Sequence, residues 1–214
     1  MRKAYQMVDA AAAKITSRMH REFRQNRLAH FDEMNIVGVK KHVAKLYKNT
    51  EKIIRNEFLA ILNPLYQEIY DEALALGFDG KPEELDEGWI EEFFEEYNPV
   101  TKYVFKNELV RKEARLFEDL VATVGTPAAD KMQSYRTAEN LLKRQITQYG
   151  IELEDAVTKV AFRDAGVEKV MWVTEDDDKT CEICIPLDGE IFPLKEAPPK
   201  QHYHCRCYLI PVRG

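Results

Sequence analysis

The four cysteines of the chain lie close together in its C-terminal part, where two histidines accompany them. Cys181 and Cys184 form a C-x-x-C pair, and after a proline-rich loop His202 is followed by Cys205 and Cys207. Thiolate sulfur and imidazole nitrogen are the ligands that Zn²⁺ prefers, and two ligand groups separated by a loop are typical of zinc sites. The sequence therefore predicts that this cluster binds a zinc ion.

The choice of ligands within the cluster follows from geometry. Zinc binds four ligands in a tetrahedron, which is fewer than the cluster offers. In an extended strand the Cβ atoms of Cys205 and Cys207 are roughly 6.6 Å apart, twice the rise per residue. Two thiolates on one zinc ion lie closer, at roughly 3.8 Å. Either these two cysteines lean together, or His202 replaces one of them after a tight turn. We therefore expect the first cysteine pair to bind the metal with two of His202, Cys205 and Cys207.

The predicted zinc site is structural and not catalytic. Four protein ligands leave no position for a metal-bound water molecule, so hydrolysis by the metal is not expected. A thioredoxin-like redox role for the C-x-x-C pair needs a βαβ arrangement that the sequence does not predict. An HNH-type nuclease needs a His and an Asn after the second ligand group, and neither follows Cys207. We therefore predict no enzymatic activity, and we place His204 on the surface.

Length and composition favour a metal site over a disulfide. The chain has 214 residues, of which 45% are hydrophobic and 32% charged, enough to bury one core. No stretch approaches the roughly 20 apolar residues that cross a bilayer, and Met1 to Lys14 lacks the apolar core of a signal peptide. We therefore expect a soluble protein made in the cytoplasm, where thiols are kept reduced. The remaining alternative is free or disulfide-bonded cysteines, with Cys181 and Cys184 as the pair.

Most of the chain is predicted to be helical, and these helices must position the cysteine cluster. Apolar residues recur at three- and four-residue steps over residues 36–62, which predicts an amphipathic helix. Its polar side carries five lysines: Lys40, Lys41, Lys45, Lys48 and Lys52. Pro64 and Pro82 are each predicted to begin a further helix. The same spacing predicts helices over residues 105–124 and 127–166, each followed or ended by a glycine.

The period of the apolar residues changes after Gly166. Residues 169–174 form a short β-branched and aromatic run that predicts a strand, and residues 207–212 are its expected partner. The proline-rich loop between them is too small to build its own core without a cross-link such as a metal ion. We therefore predict an α+β, mainly α fold, with an extended helical N-terminal region, 1–125, and a C-terminal domain, 126–214. The small helix-plus-β-hairpin module of that domain, about 168–212, is predicted to be cross-linked by zinc.

Charge is unevenly distributed along the chain. Residues 1–55 carry thirteen Lys or Arg against five Asp or Glu, whereas residues 56–98 carry thirteen acids against one base. Such blocks are typical of solvated helix faces. A second interpretation is that the basic region 1–55 contacts DNA or an acidic partner, or docks on the acidic segment of its own chain.

Five segments of the C-terminal part carry a family resemblance. They are Arg136 to Asn140, Trp172 to Thr174, Asp178 to Cys184, Leu187 to Gly189, and Pro199 with His202 to Cys207. In this order and spacing they resemble the C-terminal domain of phage head morphogenesis proteins, the Mu F-like minor capsid family. The resemblance covers roughly residues 127–212, and the helical first half contributes nothing to it.

The resemblance implies a minor capsid (head morphogenesis) protein of a tailed bacteriophage that associates with the portal vertex. Such a protein assists procapsid assembly, DNA packaging or genome delivery, and its expected partners are the portal protein and the major capsid protein. It would be located in the virion, with viral DNA as a further partner of the basic region. The alternative is a zinc-stapled nucleic-acid-binding or processing protein of a mobile element. A delivery domain for a toxin is a third possibility, which the lack of a long extra domain disfavours.

Overall fold

A computed structural model describes residues 2–27, 35–175 and 181–213. Five helices account for most of these residues: α1 (Lys3–Arg27), α2 (Ile36–Ala75), α3 (Glu87–Glu95), α4 (Phe105–Ala122) and α5 (Ala128–Asp164). The strands form two antiparallel sheets, one of β1 (Tyr97–Asn98) and β2 (Tyr103–Val104), the other of β3 (Lys169–Val173), β4 (Ile191–Pro193) and β5 (Tyr208–Val212). The mainly helical α+β class predicted from the sequence is confirmed.

The long helix α2 continues through Pro64, so the prediction that a new helix begins there was wrong. Proline removes one backbone hydrogen bond from a helix interior, which costs about 3 kcal/mol. Leu62 and Leu65 on either side of it are fully buried in the core. Burying each of these side chains contributes about 1.5–3 kcal/mol, so packing against the core offsets the cost of the proline.

Helix α3 begins at Glu87, and the predicted start at Pro82 was also wrong. The chain before it is held in a non-helical path by side chains of α2. Asn63 accepts a hydrogen bond from the backbone of Leu85 and donates one back, and the Tyr66 hydroxyl accepts from the backbone N–H of Glu83. Asp86 then caps the helix, since its carboxylate accepts from the N–H of Trp89 at 2.9 Å.

The core runs without interruption from α1 to the last strand. Helix α1 packs along both α2 and α5, and α5 also contacts α4 and β5. Buried apolar residues from Ala4 to Leu209 form one cluster, in which the predicted helices over 105–124 and 127–166 take part as α4 and α5. The division of the chain at residues 125 and 126 stays a prediction.

The three-stranded sheet has the order β4-β3-β5, with both pairs antiparallel. The predicted partnership of residues 169–174 with 207–212 is confirmed, since Trp172 lies opposite Leu209 in β3 and β5. Trp172 is buried, as expected for a core residue. Strand β4 was missed because its short Ile191–Pro193 segment lies among turn-forming residues and carries no alternating pattern.

Several bases in α1 and directly before it are bound by acids of the same chain. Arg2 donates to Glu72 at 2.8 Å, Lys14 lies 2.7 Å from Glu57, and Arg18 also pairs with Glu57. Both carboxylates belong to the acidic segment 56–98. Helix α1 is therefore docked on that segment.

In the ranges that the structure describes, none of the helices combines the length and apolar character that crossing a membrane requires.

Substituting Arg2 tests how firmly α1 is held. Arg2 also pairs with the buried carboxylate of Glu154 at 3.0 Å. Removing one member of a buried ion pair leaves an uncompensated charge, so we expect Arg2→Met to lower the free energy of unfolding by about 3 kcal/mol, measured by urea denaturation. The neighbouring Lys3→Met is the control, because Lys3 is exposed and its pair with Glu68 contributes at most about 1 kcal/mol. Equal effects of the two variants would contradict the buried network.

Candidate metal centre

The first cysteine pair lies in a tight turn. The backbone N–H of Cys184 donates to the carbonyl oxygen of Cys181 at 3.0 Å, and Ile185 donates to the same oxygen at 3.1 Å. A short 3₁₀ helix, Ile185–Leu187, follows directly. The turn brings the two sulfurs of the C-x-x-C pair to one side, where Cys184 is buried and Cys181 is half-buried.

The second ligand group begins with another tight turn. The N–H of Cys205 donates to the carbonyl oxygen of His202 at 3.2 Å, and His204 has a left-handed backbone with φ of 60°. Histidine is among the residues that adopt this conformation more readily than most. The turn folds His202 back toward the cysteines, as the three-residue spacing predicts. Cys207 then leads into β5.

All five predicted ligands lie together. The distance from His202 Nε2 is 2.9 Å to Cys181 Sγ and 3.4 Å to Cys184 Sγ, and Cys184 Sγ lies 3.8 Å from Cys205 Sγ. The donor atoms form two groups that share Cys184, one with Cys181 and His202 and one with Cys205 and Cys207. Within each group the donor atoms are at most 4.8 Å apart. The choice among His202, Cys205 and Cys207 therefore remains open.

The chemistry of the donor set fits zinc. Two thiolates on a tetrahedral zinc ion are roughly 3.8 Å apart, and a thiolate and an imidazole nitrogen roughly 3.5 Å. His202 Nδ1 lies 2.9 Å from the carbonyl oxygen of Tyr203, so Nδ1 carries the proton and donates it. The lone pair of Nε2 is then left for a metal, an arrangement common among metal-binding histidines. A bound zinc ion would supply a cross-link between the C-x-x-C turn and the start of β5.

The thiols differ in acidity. Burial raises the pKa of Cys184 to about 12. A hydrogen bond from the thiol of Cys207 lowers the pKa of Cys205 to about 5, and the same bond raises the pKa of Cys207. Since the thiolate is the form that binds a metal, the shared hydrogen bond favours one thiolate in this second group.

A buried lysine next to the cluster was not anticipated from the sequence. Lys200 Nζ lies 3.1 Å from Glu154 Oε2 on α5 and also donates to the carbonyl oxygen of Cys207. Burial lowers the pKa of Lys200, but the negative charges of Glu154, Asp155 and Cys205 together with the hydrogen bond to Glu154 outweigh this effect and raise the pKa overall. The ammonium therefore stays charged and ties the cluster to α5. Nothing in the sequence distinguishes Lys200 from a surface lysine.

His204 lies outside the cluster of donor atoms and is exposed, as predicted. Its backbone N–H donates to the side chain of Gln148 on α5 at 2.8 Å. At the other end of the loop, Asp188 accepts hydrogen bonds from the backbone N–H and the hydroxyl of Thr174. The loop that carries the cysteines is thus held to α5 and to β3 by polar contacts.

Residues 124–210 match a family model described as phage Mu protein F like protein. The match contains α5, strands β3 and β4, most of β5 and all five candidate ligands, and it confirms the resemblance that the sequence indicates. Comparisons with curated proteins and with solved structures give no match.

Metal analysis tests the zinc site. We expect the purified protein to contain about one zinc ion per chain, and a chelator to lower the unfolding temperature because metal binding and folding are coupled. Cys184→Ser should lose the metal, since Cys184 belongs to both donor groups. His202→Ala, Cys205→Ser and Cys207→Ser show which two of these residues complete the site. His204→Ala is the control and should keep the metal. A wild-type protein that is fully stable without metal would refute the site.

Proposed function

We propose that this chain is a minor capsid (head morphogenesis) protein of a tailed bacteriophage, from the premise that residues 124–210 belong to the phage Mu protein F like family. This match is the observation that carries the proposal. The protein would be incorporated into the virion at the portal vertex and assist procapsid assembly, DNA packaging or genome delivery. Its partners would be the portal protein and the major capsid protein.

The metal centre suits a structural role in such a protein. We propose that Zn²⁺ is held by Cys181, Cys184 and two of His202, Cys205 and Cys207. Four ligands from the chain leave no position for substrate or water, so the ion would act as a cross-link and the protein would not be an enzyme. The cross-link would fix the surface of the loop that contains the C-x-x-C turn.

That surface has the character of a docking site. Ile183, Ile185 and Ile191 are exposed by more than half of their surface, and they lie on the C-x-x-C turn, the 3₁₀ helix and β4 of the metal module. Exposed large apolar side chains on one small module are typical of protein–protein contacts. They support docking of the metal module on the portal or capsid protein.

A second candidate function, nucleic-acid binding, is favoured by the polar side of α2. Four lysines recur there at four- and three-residue steps, and all are exposed. We call them the lysine stripe: Lys41, Lys45, Lys48 and Lys52. The stripe lies opposite the buried face of α2, which includes Val43 and Leu46. Because Lys3, Lys14 and Arg18 of α1 are bound within the chain, whereas the stripe is exposed, the stripe is well placed to contact DNA phosphates.

Binding to the portal protein of the same phage tests the first function. We expect the chain to be found in purified particles and to bind portal in a pull-down. Replacing Ile183 and Ile191 with Asp should weaken that binding about tenfold or more, a loss of about 1.4 kcal/mol. The matched control replaces Ile36 and Val37, which are equally exposed at the start of α2. Absence from particles together with no binding to portal would refute the proposal.

The salt dependence of DNA binding tests the second function. If the lysine stripe neutralises up to four phosphates, log Kobs should fall with log[salt] with a slope of roughly −3 to −4, and replacing all four lysines with Gln should abolish most of that slope. The control replaces four exposed lysines elsewhere, Lys81, Lys106, Lys143 and Lys195. DNA affinity that is equally reduced by both quadruple variants would exclude the stripe as the binding surface.

A further inference from the structure

A cavity of about 330 Å³ opens between α3, β1 and α5. Pockets that bind ligands commonly enclose about 300–1,000 Å³. Pro199 of the metal module contributes to its edge, but the five candidate metal ligands lie outside it. The cavity is therefore separate from the metal centre, and it has no part in the function proposed above.

One wall of the cavity is aromatic. The rings of Trp89 and Phe93, one turn apart on α3, are parallel to within 3° with centroids 6.0 Å apart. Phe93 in turn meets the ring of Tyr149 edge-on at 6.4 Å. Trp89 and Phe93 are only half-buried, although both line the cavity. Their positions are thus fixed by packing, while part of their surface remains open to a ligand.

The remaining lining is strongly acidic. Glu92 and Glu96 of α3 are exposed at the cavity, and Glu152 and Asp155 of α5 are buried in it. Lys159 is the single base that lines the cavity, and it is bound to Asp155 at 2.9 Å. Three acidic side chains therefore remain in excess of the bases in the lining.

One buried acid in the lining lacks an ion-pair partner among the described residues. Glu152 accepts a hydrogen bond from Gln148 at 2.5 Å, but it is paired with no cation in the described part of the chain, and burial raises its pKa to about 7. Buried polar groups of this kind are normally satisfied by a ligand or by ordered water.

We propose that this cavity is a socket for an arginine side chain presented by a basic segment of a partner protein. A guanidinium group stacks on the face of a tryptophan and binds carboxylates through paired N–H groups, and its apolar stem fits against Pro99, Pro199 and Val160. Charge complementarity selects the cation, and the aromatic wall selects the planar guanidinium over the compact ammonium of lysine. The exposed ring of Tyr97 at the opening would contact residues that flank the arginine.

The chain contains its own reporter for this interaction. It has two tryptophans, and since Trp172 is buried in the sheet core, changes in fluorescence on ligand addition arise from Trp89. The probe is the peptide acetyl-Gly-Arg-Gly-amide, and its neutral counterpart carries citrulline in place of arginine. We expect the arginine peptide to change the emission of the full chain saturably, with an affinity about tenfold or more above that of the citrulline peptide.

A pair of double variants separates the socket from general electrostatic attraction. Glu92→Gln with Glu96→Gln removes two carboxylates from the cavity, and Glu84→Gln with Glu95→Gln removes two exposed carboxylates that do not line it. The cavity variant should weaken the arginine peptide about tenfold, and the control variant less than about twofold. All four side chains are exposed, so both variants should keep the wild-type unfolding midpoint.

Three results would overturn the proposal. The first is an equal response to the arginine and citrulline peptides, and the second is an equal loss of affinity in the two double variants. The third is binding of spermidine through Glu92 and Glu96 as tight as that of the arginine peptide, which would make the site a polyamine site. Loss of peptide binding in the cavity variant alone supports the socket whether or not the chain binds portal, so the two proposals are tested separately.

Discussion

The carboxylate of Glu154 is the point at which the three parts of the structure are joined. It is buried on α5, where one oxygen pairs with Arg2, directly before α1, and the other pairs with Lys200 of the metal module. Two cations facing one buried carboxylate would leave an excess charge, but Arg2 also pairs with Glu72 of α2, so charges of both signs balance. Because an unpaired buried charge is strongly destabilising, this network requires α1, α2, α5 and the cysteine-bearing loop to be in place together.

The cysteine cluster, like this network, helps to hold the cysteine-bearing loop in place. Among residues 181–207 the buried apolar side chains are Leu194 and three of the cysteines, so the sulfur atoms themselves form most of the core of the loop. So small a core contributes little stability without a disulfide or a metal ion. Zinc bound to these thiolates would cross-link the loop and so stabilise it. Lys200 donates to the carbonyl oxygen of Cys207, and its positive charge would offset part of the negative charge of the thiolates.

Periodicity and ligand chemistry made much of the fold and of the cluster predictable. The helices, the pairing of β3 with β5 and the gathering of five sulfur and nitrogen donors all follow from local spacing. The errors at Pro64 and Pro82 have a different origin, since both were decided by contacts between α2 and distant segments, such as those of Leu65 with the core and Asn63 with Leu85. Lys200 was missed for the same reason: its role depends on Glu154, 46 residues away.

The basic region 1–55 and the acidic segment 56–98 are each divided between two roles in the folded structure. The basic region divides into the start of the chain, where Arg2 and the α1 bases Lys3, Lys14 and Arg18 are bound by acids, and α2, whose lysine stripe faces outward. The acidic segment divides in the same way, because Glu57 and Glu72 hold α1 while Glu92 and Glu96 line the cavity beside Trp89. Part of each block therefore stabilises the fold, and another part leaves two surfaces of opposite charge on separate helices. Net charge over a segment could not reveal this division, because it depends on which face of each helix is buried.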